Sequence, residues 1–275
     1  MVPTEASASG ISGPGRAELA AVMARSGGVF VTVQDVAEEL GVGPVAAAQR
    51  LARWAGAGWL RRVKRGLYVS VPVDAQDPAT WSVDPLVVAA RVWPDCYFTG
   101  WTAAGQWGLT EQVFRVTVLR TAGRVRAARV VLLDSEYLVG RAADADLGWG
   151  MRTQWRDSAR LRFADPARTV VDILDDPAIG GGIRHAADIL DAYLLEHDEG
   201  LLIDYAGRIG NATVFKRLGY LTEVLRPDLE RLAASAVSRI SSGVTALDPT
   251  APATGQVDRR WNLRINATIT PAEPS

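Results

Sequence analysis

The chain has 275 residues, 48% of them hydrophobic, with nine tryptophans and a formal net charge of −1. That length and apolar content allow one large domain or two ordinary ones with substantial cores, and the near-zero charge confines any contact with a polyanion to a local patch. A single cysteine, Cys96, excludes an internal disulfide framework and a multi-cysteine zinc site; its apolar and aromatic neighbours predict a buried thiol and fit a reducing cytoplasm.

No run reaches the roughly 18 to 20 apolar residues needed to span a bilayer, and residues 1–15 lack the charged and apolar regions of an export signal. No membrane partner is expected. Residues 1–15, rich in Ser, Gly, Pro and Ala, read as a disordered lead-in, and residues 267–275 likewise.

Leu19, Val22 and Met23 at helical spacing predict a first helix over residues 16–25. Thr32 can cap a second over residues 33–40; Gly41-Val42-Gly43 breaks it, and Pro44 starts a third helix of about 14 residues at the position proline tolerates best. On that helix Ala47, Leu51, Trp54 and Gly58 fall on one face, and Ala46, Gln49, Arg50, Arg53 and Ala57 on another. Residues 59–71 then read as two short strands around a turn, the wing of a winged helix.

Small residues let a helix approach a groove wall, Gln pairs with an adenine edge, and Arg grips phosphate or guanine, so the second face suits the major groove of DNA. From Arg50 to Arg65 the chain carries Arg50, Arg53, Arg61, Arg62, Lys64 and Arg65 with no acidic residue. Such a block neutralises phosphates and makes affinity fall with salt. The bland alternative is a solvated basic face on a protein-binding winged helix.

Residues 74–82 read as a linker, with a domain boundary near 75. Asp84-Pro85 opens a helix through Val92, and residues 97–109 hold a helix capped by Thr99 or Gly100 and closed by Gly108. Residues 113–120 and 125–133 alternate as two strands expected to pair as a hairpin. That hairpin carries a second basic cluster, Arg115, Arg120, Arg124, Arg126 and Arg129, either a solvated sheet face or a contact surface for nucleic acid or an acidic partner. Tyr137 and residues 161–163 add short strands, Asp165-Pro166 starts a helix through Leu174, and helical patterns follow at 183–195, 201–209 and 212–225. Residues 261–266 alternate as a late strand returning to the sheet.

Asp165, Asp172, Asp175, Asp176, Asp188 and Asp191 invite a metal site, but no lysine completes an acid-acid-lysine group, and carboxylates at helix starts and on solvated faces are the simpler account. His185 and His197 lack metal-ligand spacing and read as surface residues. Gly180-Gly181-Gly182 is followed by Ile183 instead of a Lys-Ser or Lys-Thr pair, which makes it a weak phosphate loop, and no Gly-x-Ser-x-Gly occurs. No enzyme, metal or cofactor is expected. The residues predict an α+β chain: a winged helix-turn-helix over 16–73, then a mixed, mainly helical domain over 83–266 with a small antiparallel sheet.

The order of these pieces resembles the AbiEi antitoxins of bacterial toxin-antitoxin and phage-defence operons. The resemblance rests on Gly28-Val29-Phe30, the wing ending Lys64-Arg65-Gly66-Leu67-Tyr68, Tyr97-Phe98-Thr99-Gly100-Trp101-Thr102-Ala103-Ala104 closing at Gly108-Leu109, and Arg217-Leu218-Gly219-Tyr220-Leu221. It spans roughly residues 16–266; the Pro, Ala and Thr stretch near 248–256 and the long lead-in depart from the compact pattern. The resemblance implies an N-terminal domain that represses its own operon by binding duplex DNA at inverted repeats, and a C-terminal domain that opposes a nucleotidyltransferase-like toxin encoded beside it, with or without a stable complex. It implies DNA-binding roles for Gln49, Arg50, Arg53, Arg61, Arg62, Lys64 and Arg65. The alternative is a stand-alone winged-helix regulator whose second domain binds a ligand or holds a dimer together.

Overall fold

A computed structural model describes residues 13–72, 81, 83–156 and 158–270, so the expectations for most of the lead-in, most of the 74–82 linker and the last five residues fall outside it. The chain forms two compact units: one runs up to Asp84 and includes Val131–Asp134, and the other takes Pro85–Val130 and the chain from Ser135 onward.

In the first unit the order is α1 (Gly13–Ser26), β1 (Phe30–Thr32), α2 (Val33–Leu40), α3 (Pro44–Gly56), β2 (Leu60–Lys64) and β3 (Leu67–Ser70). The strands pair antiparallel in the order β1-β3-β2. Thr32 caps α2 as its sequence predicts: its hydroxyl accepts from the Asp35 amide at 3.2 Å, while the Asp35 carboxylate accepts from the Thr32 amide at 2.7 Å. Gly41 ends the helix at φ 62°, and Pro44 begins α3 where its missing N–H costs nothing. Leu19, Val22, Val31, Val36, Ala47, Leu51, Trp54, Leu60 and Tyr68 form the core.

From Pro85 onward come α4 (Pro85–Val92), β4 (Cys96–Phe98), α5 (Gly100–Gln106), β5 (Val116–Thr121), β6 (Arg129–Leu132), β7 (Ser135–Arg141), β8 (Met151–Arg156) and β9 (Ala159–Ala164). Then follow α6 (Pro166–Asp175), α7 (Ile183–Glu196), α8 (Gly200–Ile209), α9 (Ala212–Leu225), α10 (Glu230–Val237), β10 (Thr245–Ala246), β11 (Val257–Asp258) and β12 (Leu263–Arg264). The sheet is larger than the sequence predicts: six strands in the order β6-β7-β5-β4-β9-β8. It is also mixed, since β5 pairs with β7, and β4 with β9, in parallel.

The expected hairpin of residues 113–133 does not form. β5 lies between β4 and β7, while β6 turns directly into β7 through Leu133 and Asp134, both at positive φ as a tight hairpin turn requires. Residues 261–266 do not return to the main sheet either; β12 joins β10 and β11 in a separate three-stranded sheet. Nor is the chain after 266 a free tail throughout, because Ala267 and Ile269 pack on the helical core.

Two glycines of the quoted motifs have steric roles. A β-carbon at Gly219 of α9 would overlap the ring of Trp261, which is fully buried and donates from Nε1 to Glu223 at 2.6 Å. Gly100 sits at φ 57°, and a β-carbon there would overlap the Ile179 carbonyl.

Cys96 is 4% exposed on β4, and burial pushes its thiol pKa up to about 12. The folded protein is therefore expected to resist thiol-disulfide reagents at pH 8 and to react fully in denaturant; rapid labelling of the folded chain would contradict this packing.

Candidate nucleic-acid interface

α3 buries Ala47, Leu51 and Trp54, as its sequence predicts. The face opposite them carries Val45, Gln49, Ala52 and Gly56 at spacings of four and three residues, flanked by Ala48 and Arg53, and all six are exposed. This line is rotated from the predicted one. Ala46, Arg50 and Ala57 are half-buried at its margin, and Arg50 Nε lies 3.3 Å from the Glu18 carboxylate of α1. Arg50 is thus held by its own fold and contributes less free charge than its place in the basic run implied. The missed residue is Val45; projecting the wheel opposite Ala47, Leu51 and Trp54 would have found it. Gly43 offers no side chain to cap α3, so the first-turn amides face outward without a side-chain acceptor.

In the wing, Val63 turns inward while Arg62, Lys64 and Arg65 are exposed, and Gly66 makes the turn at φ 80°. Arg61 is half-buried and donates to the Trp81 carbonyl at 2.5 Å, which gives it a structural part. Arg53, Arg62 and Arg65 have no carboxylate partner among the described residues. Unneutralised arginines along one helix and the adjoining wing can track a phosphate backbone.

The second basic cluster does not form one face. Arg120 points inward, 3.6 Å from Asp172 and 3.7 Å from Asp175, and Arg129 pairs with Glu136. Arg115, Arg124 and Arg126 are exposed on segments outside the strands. β9, which contains the strand expected at residues 161–163, pairs with β8, which was not expected, and this hairpin exposes Arg152, Trp155 and Arg160, with Arg152 over the Trp107 ring at 5.4 Å.

Asp165, Asp172, Asp175, Asp176 and Asp191 have partners within the fold, while Asp188 is exposed. Asp165 caps α6 and accepts from the Tyr205 hydroxyl at 3.0 Å, and Asp191 pairs with Arg226 at 2.6 Å. Asp172, contrary to the solvated-face reading, is fully buried. It accepts from Arg168 Nε at 2.7 Å, Thr99 Oγ1 at 2.7 Å and the Tyr97 hydroxyl at 3.1 Å. The Arg168 guanidinium also lies 3.5 Å from the centre of the Trp149 ring. Burial, reinforced by the Asp172 charge, pushes the Tyr97 hydroxyl pKa well above its ordinary value, so it remains a donor.

His185 is also buried, not a surface residue: Nε2 meets Thr110 Oγ1 at 2.7 Å and Nδ1 meets the Gly180 carbonyl at 2.6 Å. Gly180-Gly181-Gly182 leads into α7, but the Asp248 carboxylate already accepts from the Ile183 amide there at 3.4 Å. That carboxylate stands where a phosphate would have to sit. Among the described residues, no three His, Cys, Asp or Glu side chains converge as metal ligands, and no helix is long and apolar enough to cross a membrane.

Residues 21–71 match the family model described as "Transcriptional regulator, AbiEi antitoxin", which places α2, α3 and the wing within that domain. No curated protein matches the chain. Among solved structures, the crystal structure of RV2827C protein from Mycobacterium tuberculosis is similar in fold, with a TM-score of 0.61, 18% sequence identity, and coverage of 95% of this chain and 94% of that one.

Proposed function

We propose that the chain is a DNA-binding antitoxin that represses its own operon and counteracts a nucleotidyltransferase-like toxin encoded beside it. Residues 16–73 grip duplex DNA at inverted repeats in the promoter, and residues 83–266 oppose the toxin, both in the cytoplasm. The observation that carries the DNA-binding half is the joint exposure of Gln49, Arg53, Arg62, Lys64 and Arg65 on α3 and the wing, within a domain that matches an antitoxin transcriptional regulator. The recognition helix enters the major groove, and the wing cations hold the flanking phosphates. The toxin-opposing half rests on the family resemblance. No cofactor or catalytic residue enters this reading.

A growth assay tests the second half. Inducing the adjacent gene alone is expected to arrest growth, and co-expression of the full chain to restore it. A variant with Arg53, Arg62, Lys64 and Arg65 replaced by glutamate is expected to restore growth equally, because those residues lie outside the opposing domain. Arrest that the intact, expressed chain does not relieve would leave a stand-alone winged-helix regulator.

A further inference from the structure

Val45 is a branched apolar side chain, 74% exposed, at the second position of α3. Ala48 and Gln49 follow one turn later on the same exposed side, and Ala52 a turn beyond. In a helix-turn-helix the N-terminal residues of the recognition helix come nearest the base edges. The one apolar group that bases present in the major groove is the thymine C5 methyl, and the edge that a Gln amide matches with two hydrogen bonds is adenine N6 and N7. The usual guanine readers are scarce here, since Arg50 is turned toward Glu18, which leaves Arg53 just over a turn beyond Gln49.

Building on the DNA-binding reading, we propose that α3 specifies A·T pairs, with the Gln49 amide on an adenine edge and Val45, backed by Ala48, against a thymine methyl. Val45 and Gln49 are separated by four residues, a rise of about 6 Å. At about 3.4 Å per base step, this places the methyl within two base pairs of the adenine.

The test uses the full chain and duplexes enriched by it from a randomised double-stranded library, made with either thymine or deoxyuridine, which lacks only the methyl. Enriched sites are expected to share an adenine with a thymine within two base pairs. Replacing that thymine by deoxyuridine is expected to weaken binding about three- to five-fold for one methyl. Val45→Ser, at an exposed position where the fold is not at risk, is expected to cost about as much on thymine and to abolish the difference between thymine and deoxyuridine. Gln49→Ala is expected to lose about ten-fold or more at the adenine-containing site and to relax the preference there. Equal binding of thymine and deoxyuridine sites, or a Val45→Ser variant that still distinguishes them, would overturn this assignment while leaving DNA binding in place. Failure to enrich any duplex would overturn the DNA-binding reading and this assignment with it.

Discussion

Replacing Arg53, Arg62, Lys64 and Arg65 together with glutamate is expected to reduce affinity for duplex DNA at least about a thousand-fold at 0.15 M salt. Each phosphate neutralised on a duplex releases about 0.9 of a counterion, worth on the order of 1 kcal/mol at that salt, so four sum to about 4 kcal/mol. Reversed charge adds repulsion to that loss. For the unaltered chain the same four contacts predict a log-log salt slope of about −4 per bound copy. All four side chains are exposed, so thermal unfolding should move little, and the loss should appear in binding alone. Fluorescence anisotropy with a labelled duplex measures both quantities. An affinity that survives the substitutions would remove α3 and the wing from the DNA.

Asp172→Ala is expected to be the most damaging single substitution in the second unit. The carboxylate is fully buried and accepts from Arg168, Thr99 and Tyr97, with Arg120 nearby. Its removal leaves the Arg168 guanidinium, also fully buried, without its nearest counter-charge. Breaking such a pair by removing one partner costs about 3–5 kcal/mol, a large share of the roughly 5–15 kcal/mol that holds a domain folded. Denaturant unfolding should show the midpoint of the second unit falling accordingly. Asp172→Asn keeps an acceptor for Thr99 or Tyr97 but loses the charge, and should fall between the two. A change below about 1 kcal/mol for Asp172→Ala would mean that this network does not tie β4 to α6.

The local elements were legible wherever one side chain fixes the backbone. Thr32 with Asp35, Pro44, and Asp165 before Pro166 each start a helix where their chemistry predicts, because capping needs only neighbours three residues apart. Pairing between strands was not legible. Residues 113–133 alternate, but alternation does not say which strand will lie alongside, and the segment between β5 and β6 leads away instead of turning back. Burial of polar residues was hidden for the same reason: Asp172 and His185 look like helix-surface residues until distant partners, Thr99 and Thr110, are brought against them. On α3 the helical period identified the buried face correctly. The exposed face was misplaced because the cations were followed in preference to the wheel: Arg50 turns toward Glu18, and Val45, which carries no charge, takes the outward position.

The central claim is that the first unit recognises DNA at the protein's own promoter, and footprinting the full chain on the segment directly upstream of its gene tests it most directly. The account predicts protection of discrete duplex sites, related as inverted repeats, that weakens steeply as salt is raised. No protection at low salt, or affinity equal to that for unrelated duplex, would contradict it.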